Sequence, residues 1–300
     1  MSNITEKIEN LKKKRNAVIL VHNYQPSEVQ DIADFRGDSL GLSREAAKTS
    51  ADVIVFCGVH FMAETAAILS PDKTVLLPDK DAGCPMADMI DAEKLRALKK
   101  KHPHASVVCY VNSTAEVKAE SDYCCTSANA VEILSGIENN EIIFVPDKYL
   151  GSFAAGKAGK KVILYEGYCP IHMKILEQHI TDGRKAHPGA KVLVHPECRT
   201  AICDLADEVL STSGMERYAR ETKCEEMIIG TETGLVYRLQ KDNPGKKFYP
   251  ASAEAVCPNM KKTSLEKVLW ALDEMKHEIR VKESTAKAAR KAIDRMISFG

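Results

Sequence analysis

Three cysteines in this chain, Cys84, Cys169 and Cys257, are each followed by proline, and each closes a segment built on the same plan. With 10 Cys and 12 Pro among 300 residues, random order would give less than one Cys-Pro pair. Upstream of each pair lies an apolar, strand-like run with a polar or aromatic end: VILVHNY to Tyr24, VVCYVNS to Ser113 and VLVHPEC to Cys198. Counting from His22, Tyr110 and His195 in those runs, a hydroxyl follows 17 residues later, at Ser39, Ser127 and Thr212. Five residues before each hydroxyl stands an aspartate, Asp34, Asp122 or Asp207. The cysteine comes about sixty residues after the reference point. That period is longer than the roughly 20–50 residues of stacked solenoids. Three small domains about a pseudo-threefold axis fit it better.

Short β-rich runs alternate with helical patterns along the chain. Nine runs read as strands: 17–21, 52–56, 74–78, 106–111, 141–145, 161–165, 191–195, 226–230 and 246–250. Stretches such as MAETAAILS and MKILEQHITDGRK read as the helices between them. This alternation indicates an α/β fold with parallel sheets. The expected units are 1–84, 85–169 and 170–257, followed by a helical tail over 258–300 that packs back on the first repeat. The N-terminal segment reads as an amphipathic helix with Ile4, Ile8 and Leu11 on one face.

In each repeat the Cys-Pro pair leads into a helical pattern. Proline is favoured at the first helical position, where its missing N–H would be unpaired anyway, so the cysteine is expected at the N-cap. The positive helix end there favours the thiolate, the form that binds metal. Three converging thiolates suit a Zn site with one open position, as in a Zn-dependent lyase or hydrolase. They equally suit a [4Fe–4S] cluster with one iron free of protein ligands, since such clusters ordinarily take four cysteines. Spacing does not choose between these, and three buried capping cysteines are the plain alternative.

Parallel sheets bind ligands outside the carboxyl ends of their strands. The first-strand ends bring His22, Asn23 and Tyr24; Tyr110, Val111 and Asn112; and His195, Pro196 and Glu197. The second-strand ends bring Asp38 and Ser39, Ser127, and Ser211 and Thr212. Tyr24, His172, His195 and Glu197 are the candidate acids and bases. Ser39, Ser127 and Thr212 also fit the role of helix N-caps. His102, His104, His179, His187 and His277 read as surface residues, and Cys57 and Cys109 as core. A non-catalytic iron–sulfur redox protein would not need this polar ring.

Lys+Arg and Asp+Glu are both 42, so the formal charge is zero and nothing points to nucleic acid or an anionic membrane. The N-terminus lacks an apolar core of signal-peptide length, and no apolar run reaches the roughly 18 residues of a membrane span. A cytoplasmic protein is expected. In that reducing compartment, 10 cysteines point to metal binding, catalysis or burial before disulfides.

The blocks HNYQ with DIADFRGDSL, FMAETA, CPMADM, YVNSTAE, TSANA, HPEC, STSGM and CPNMKKTSLE, in this order from about Val18 to Leu272, resemble the signature of the quinolinate synthase family. The resemblance implies three pseudo-threefold-related αβα domains with small parallel sheets around a central active site. It implies one [4Fe–4S] cluster per chain, on Cys84, Cys169 and Cys257, with one open iron. Its substrate-binding positions fall on His22, Ser39, Tyr110, Asn112, Ser127, His195, Glu197 and Thr212, its catalytic tyrosine on Tyr24 and a central histidine on His172. The implied reaction condenses iminoaspartate (iminosuccinate) with dihydroxyacetone phosphate to quinolinate, phosphate and water, on the route to NAD. An aspartate oxidase or dehydrogenase would supply the imine. One departure is visible: some members carry a CxxC at the last cysteine, but Glu254 stands three before Cys257, so that disulfide switch is not expected.

Overall fold

The computed structural model describes residues 3–298. Twelve strands among them form three sheets. The first holds β1 (Ala17–His22), β2 (Phe35–Gly37), β3 (Val53–Cys57) and β4 (Thr74–Leu76). The second holds β5 (Ser106–Tyr110), β6 (Tyr123–Cys125), β7 (Ile142–Val145) and β8 (Val162–Leu164). The third holds β9 (Lys191–Val194), β10 (Glu208–Val209), β11 (Glu226–Gly230) and β12 (Lys247–Pro250). Every pairing is parallel. The orders β2-β1-β3-β4, β6-β5-β7-β8 and β10-β9-β11-β12 are one topology used three times.

The apolar runs form strands because helices cover both faces of each sheet. On β1, Val18 and Leu20 enter one core while Ile19 and Val21 enter the other. The strands β2, β6 and β10, two or three residues long, lie outside the nine apolar runs. The repeat aspartates hold these edges in place. Asp34, Asp122 and Asp207 each stand just before such a strand and accept a backbone N–H from Ile19, Val107 and Val192 at 2.8 Å. Each returns its own N–H to the same residue's carbonyl. The repeated aspartate is therefore a structural pin, not a site residue.

The N-terminal helix Asn3–Lys14 buries Ile8 fully, with Ile4 and Leu11 beside it. It packs on the tail helix Leu265–Glu274, which also lies against β3. The last helix, Glu283–Ser298, reaches further than the first unit. It lies chiefly on helix Ala115–Ala119 and β6 of the second unit, and also touches helix His60–Leu69. Ala289, Ala292, Ile293 and Met296 join the core shared by the first two sheets. Among the described residues no helix is long and apolar enough to cross a membrane.

Candidate active site

The carboxyl ends of the three sheets meet around one cavity of about 250 Å³. Cys84, Cys169 and Cys257 line it, and so do all the other candidates: His22, Tyr24, Ser39, Tyr110, Asn112, Ser127, His172, His195, Glu197 and Thr212. Residues up to 235 positions apart in sequence share this wall because the same strand ends recur in each unit.

The cysteines differ from expectation in one respect. None caps a long helix. Each precedes a single turn of 3₁₀ helix, Ala87–Met89, His172–Lys174 or Met260–Lys262. The α-helices begin at Ala92, Glu177 and Leu265, each eight residues after its cysteine. The helical pattern was real but displaced. What favours a thiolate here is local: backbone N–H groups of the turn aim at the sulfur. These come from Ala87 and Met86 for Cys84, from His172 for Cys169, and from Met260 and Asn259 for Cys257. Burial works the other way and pushes the Cys84 thiol up to about 12, and the other two above their ordinary value. The three sulfurs are half-buried in one cavity, each with backbone N–H donors aimed at it. This donor set fits a metal or metal–sulfur centre.

The hydroxyls are also displaced from the capping role, Ser39 and Thr212 by one residue and Ser127, two before the cap Asn129, by two. Asp38 caps helix Ser39–Lys48 through Gly41 N–H, and Ser211 caps helix Thr212–Glu221 through Gly214 N–H. Ser39 and Thr212 thus occupy the first helical turn beside unpaired N–H groups, a position suited to anionic oxygens. Ser127 Oγ lies 3.0 Å from His195 Nε2, and Thr212 Oγ1 takes a long contact (3.4 Å) from Asn23 Nδ2. The Asn112 amide oxygen is buried in the wall without a protein partner.

His22 and His195 share a device that fixes their tautomer. The N–H two residues on, from Tyr24 and Glu197, donates to Nδ1 at 3.2 and 3.3 Å. With Nδ1 accepting, the ring hydrogen sits on Nε2. Burial lowers both histidines to about 3, so they are neutral. Both offer an uncharged N–H donor.

Glu197 is the electrostatic centre, 3% exposed. Oε1 accepts from the Tyr110 hydroxyl at 2.5 Å, and Oε2 lies 2.7 Å from His172 Nδ1 in a bent approach. Burial alone would raise this carboxyl, but His172, His195 and Tyr110 outweigh it and hold it at about 2. Burial, with the Glu197 charge added, pushes Tyr24 and Tyr110 well above the usual phenol range. The donor atoms of Cys169, His172 and Glu197 come within 4.8 Å of one another, enough to hold a single ion. That grouping would use one of the three cysteines and would break the contacts His172 and Glu197 already make.

Sequence spacing missed Thr231 and Glu232, which follow β11. Glu232 lines the cavity at 1% exposure. It accepts from Cys257 N–H at 3.0 Å and Gly234 N–H at 2.7 Å, and pairs with Lys261 at 2.9 Å. Lys261 in turn donates to the Tyr24 carbonyl. The corresponding residues two past the third strand are Val59 and Asp147, so an acid marks the position in two units, each taking its cysteine's backbone N–H, but not in the first. Lys174 also lines the wall.

Comparison with known proteins agrees with this geometry. The family model described as quinolinate synthetase A protein matches residues 6–298. Quinolinate synthase of Dehalococcoides mccartyi (strain CBDB1) is 56% identical over 294 residues, covering 98% of this chain and 97% of the relative. Those of Thermodesulfovibrio yellowstonii and Methanosarcina barkeri (strain Fusaro) are 56% and 55% identical over 295 residues, again covering 98% and 97%. A match this long, across all three sheets and the cavity they enclose, places the chain in the quinolinate synthetase A family of enzymes.

Proposed function

We propose that this chain condenses iminoaspartate with dihydroxyacetone phosphate to give quinolinate, phosphate and water, in the cytoplasm, with a [4Fe–4S] cluster on Cys84, Cys169 and Cys257. The observation that carries the reading is the convergence of three Cys-Pro turns, one per sheet, on a cavity ringed by neutral donors. The units would run 1–84, 85–169 and 170–257, with 258–300 as the tail. A cluster bound there would supply an iron without a protein ligand, a Lewis acid for a substrate oxygen.

The remaining work falls to side chains. His22 and His195, as Nε2–H donors, would hold carboxylate or phosphate oxygens together with Ser39, Ser127, Thr212 and the helix-start N–H groups. The unpaired Asn112 oxygen would accept from a substrate N–H or O–H. Glu197, ionised and flanked by His172 and Tyr110, is placed to take a proton, and Tyr24 to handle one on the opposite wall. The buried wall would exclude water from an imine that water destroys.

The test is anaerobic quinolinate formation from the two substrates, by the wild type and by Cys169→Ser. Cluster and activity should be lost together in the variant. A cluster-free variant that still forms quinolinate would sink the assignment.

A further inference from the structure

The two substrates named above would bring a dicarboxylate and a phosphate monoester to a wall that is short of positive charge. His22 and His195 are neutral. Lys261 is committed to Glu232 and to the Tyr24 carbonyl. Among the described residues that line the cavity, Lys174 is the one lysine or arginine. Its ammonium makes no hydrogen bond or ion pair with the described residues. Its side chain is exposed while lining the cavity, which puts it at the mouth.

The repeat shows that the turn itself does not demand this placement. Lys174 stands five residues past Cys169, and Met89 and Lys262 stand five past Cys84 and Cys257. Neither of those two lines the cavity. Each instead ties its turn to a neighbouring unit. The Met89 carbonyl accepts from the Tyr165 hydroxyl at 2.7 Å, and its sulfur from Tyr168 N–H at 3.4 Å. Lys262 donates to the Asp81 carbonyl at 2.5 Å. In the second unit the tie is made by a residue of the third: Arg199 donates to the Met173 carbonyl at 2.8 Å and reaches the Ile175 carbonyl at 3.5 Å. Arg199 thus holds the backbone on both sides of Lys174 and leaves the lysine side chain free. A flexible stem on a fixed backbone keeps three donors and a point charge within reach of a ligand at the mouth.

We propose that Lys174 is the residue that recognises the phosphate of the triose substrate. This rests on the reaction proposed above. A phosphate monoester carries about 1.5 to 2 negative charges at neutral pH, and hydrogen bonds between two ionised partners are roughly twice as strong as neutral ones. The phosphate therefore belongs with the free cation, and the imine carboxylates with the deeper neutral donors. Phosphate is also a product, and from the mouth it leaves to solvent without crossing the ring being formed.

The experiment compares wild type, Lys174→Met and Lys174→Arg as holoenzymes, with iron and sulfide quantified and rates taken per loaded chain. Methionine keeps the apolar stem and drops the charge. It should raise KM for dihydroxyacetone phosphate about tenfold or more, with KM for iminoaspartate within about twofold and kcat within about threefold of wild type. Arginine should return KM for dihydroxyacetone phosphate to within about threefold. An unchanged KM for dihydroxyacetone phosphate, an equal rise for both substrates, or equal loss in methionine and arginine would overturn the proposal.

A second readout does not need the reaction. The same three proteins are titrated calorimetrically with glycerol 3-phosphate, which has the phosphate without the ketone, and with malate, a dicarboxylate without the imine. Glycerol 3-phosphate should bind about tenfold more weakly to Lys174→Met and recover in Lys174→Arg, with malate within about twofold throughout. A wild type that forms no quinolinate but shows this selective loss overturns the proposed reaction and leaves the phosphate site standing. Equal affinity for glycerol 3-phosphate in all three proteins overturns the site and leaves the reaction untouched.

Discussion

Replacing Glu197 by glutamine changes one atom type in the most connected carboxylate of the site. Both oxygens are engaged: Oε1 with the Tyr110 hydroxyl at 2.5 Å and Oε2 with His172 Nδ1 at 2.7 Å. Glutamine has one acceptor and one NH₂. If its oxygen keeps Tyr110, the NH₂ faces His172 and requires a lone pair on Nδ1. The contact to His172 then loses its negative charge. Loss of one charge-assisted hydrogen bond in the interior costs about 1–3 kcal/mol of stability. Loss of a positioned general base costs about 10²–10⁴-fold in kcat, or roughly 3–5 kcal/mol of barrier. The cysteines are not touched, so cluster absorbance should be intact. The assay is single-turnover and steady-state quinolinate formation on anaerobically purified variant. A kcat within about threefold of wild type, with full cluster, would refute the reasoning about Glu197.

Glu232→Ala strips acceptors from Cys257 N–H and Gly234 N–H and leaves Lys261 without its carboxylate. It should destabilise the fold by about 2–3 kcal/mol and lower iron per chain, measured by denaturant unfolding and metal analysis. Asp122→Ala removes only the pin on Val107 N–H, so it should cost about 1 kcal/mol in unfolding with kcat unchanged. Stability should also fall with acid. Burial keeps His22 and His195 neutral, with folded values about 3 against 6.5 in the open chain. The unfolded chain binds protons that the folded chain refuses, so stability declines as pH drops below 6.5 toward 3. Glu197 adds to this only lower, since its contribution is present above 4.5 and is lost toward 2. Urea midpoints of the metal-free chain at neutral pH and near pH 5 check this; equal midpoints would contradict it.

The three-part plan was legible because its marks recur at constant offsets from the first strand. Asp34, Asp122 and Asp207 recur because each must pin an edge strand to β1, β5 or β9. These edge strands themselves are two or three residues long, too short to carry a hydrophobic period. The Cys-Pro turns were visible as pairs, but their geometry was not. Proline at a helix start describes the single 3₁₀ turn as well as a full helix, and only coordinates separate a sulfur that caps a turn from one that caps a dipole. Thr231 and Glu232 escaped for a different reason. Their places are Gly58 and Val59 in the first unit, Pro146 and Asp147 in the second. The acid recurs only in the second and third units, and what makes Thr231 and Glu232 matter is contact with Tyr24, His172 and Cys257 across chain distances no local pattern spans.

The central claim is that three cysteines from three sheets hold an open-site iron–sulfur cluster in this cavity. Anaerobic purification with iron, sulfide and zinc analysis, followed by an EPR spectrum of the reduced protein with and without a substrate analogue, tests it most directly. About four irons and four sulfides per chain, with a spectrum the analogue perturbs, is the predicted result. One zinc per chain and no sulfide would keep the threefold thiolate site and contradict the cluster and the chemistry built on it.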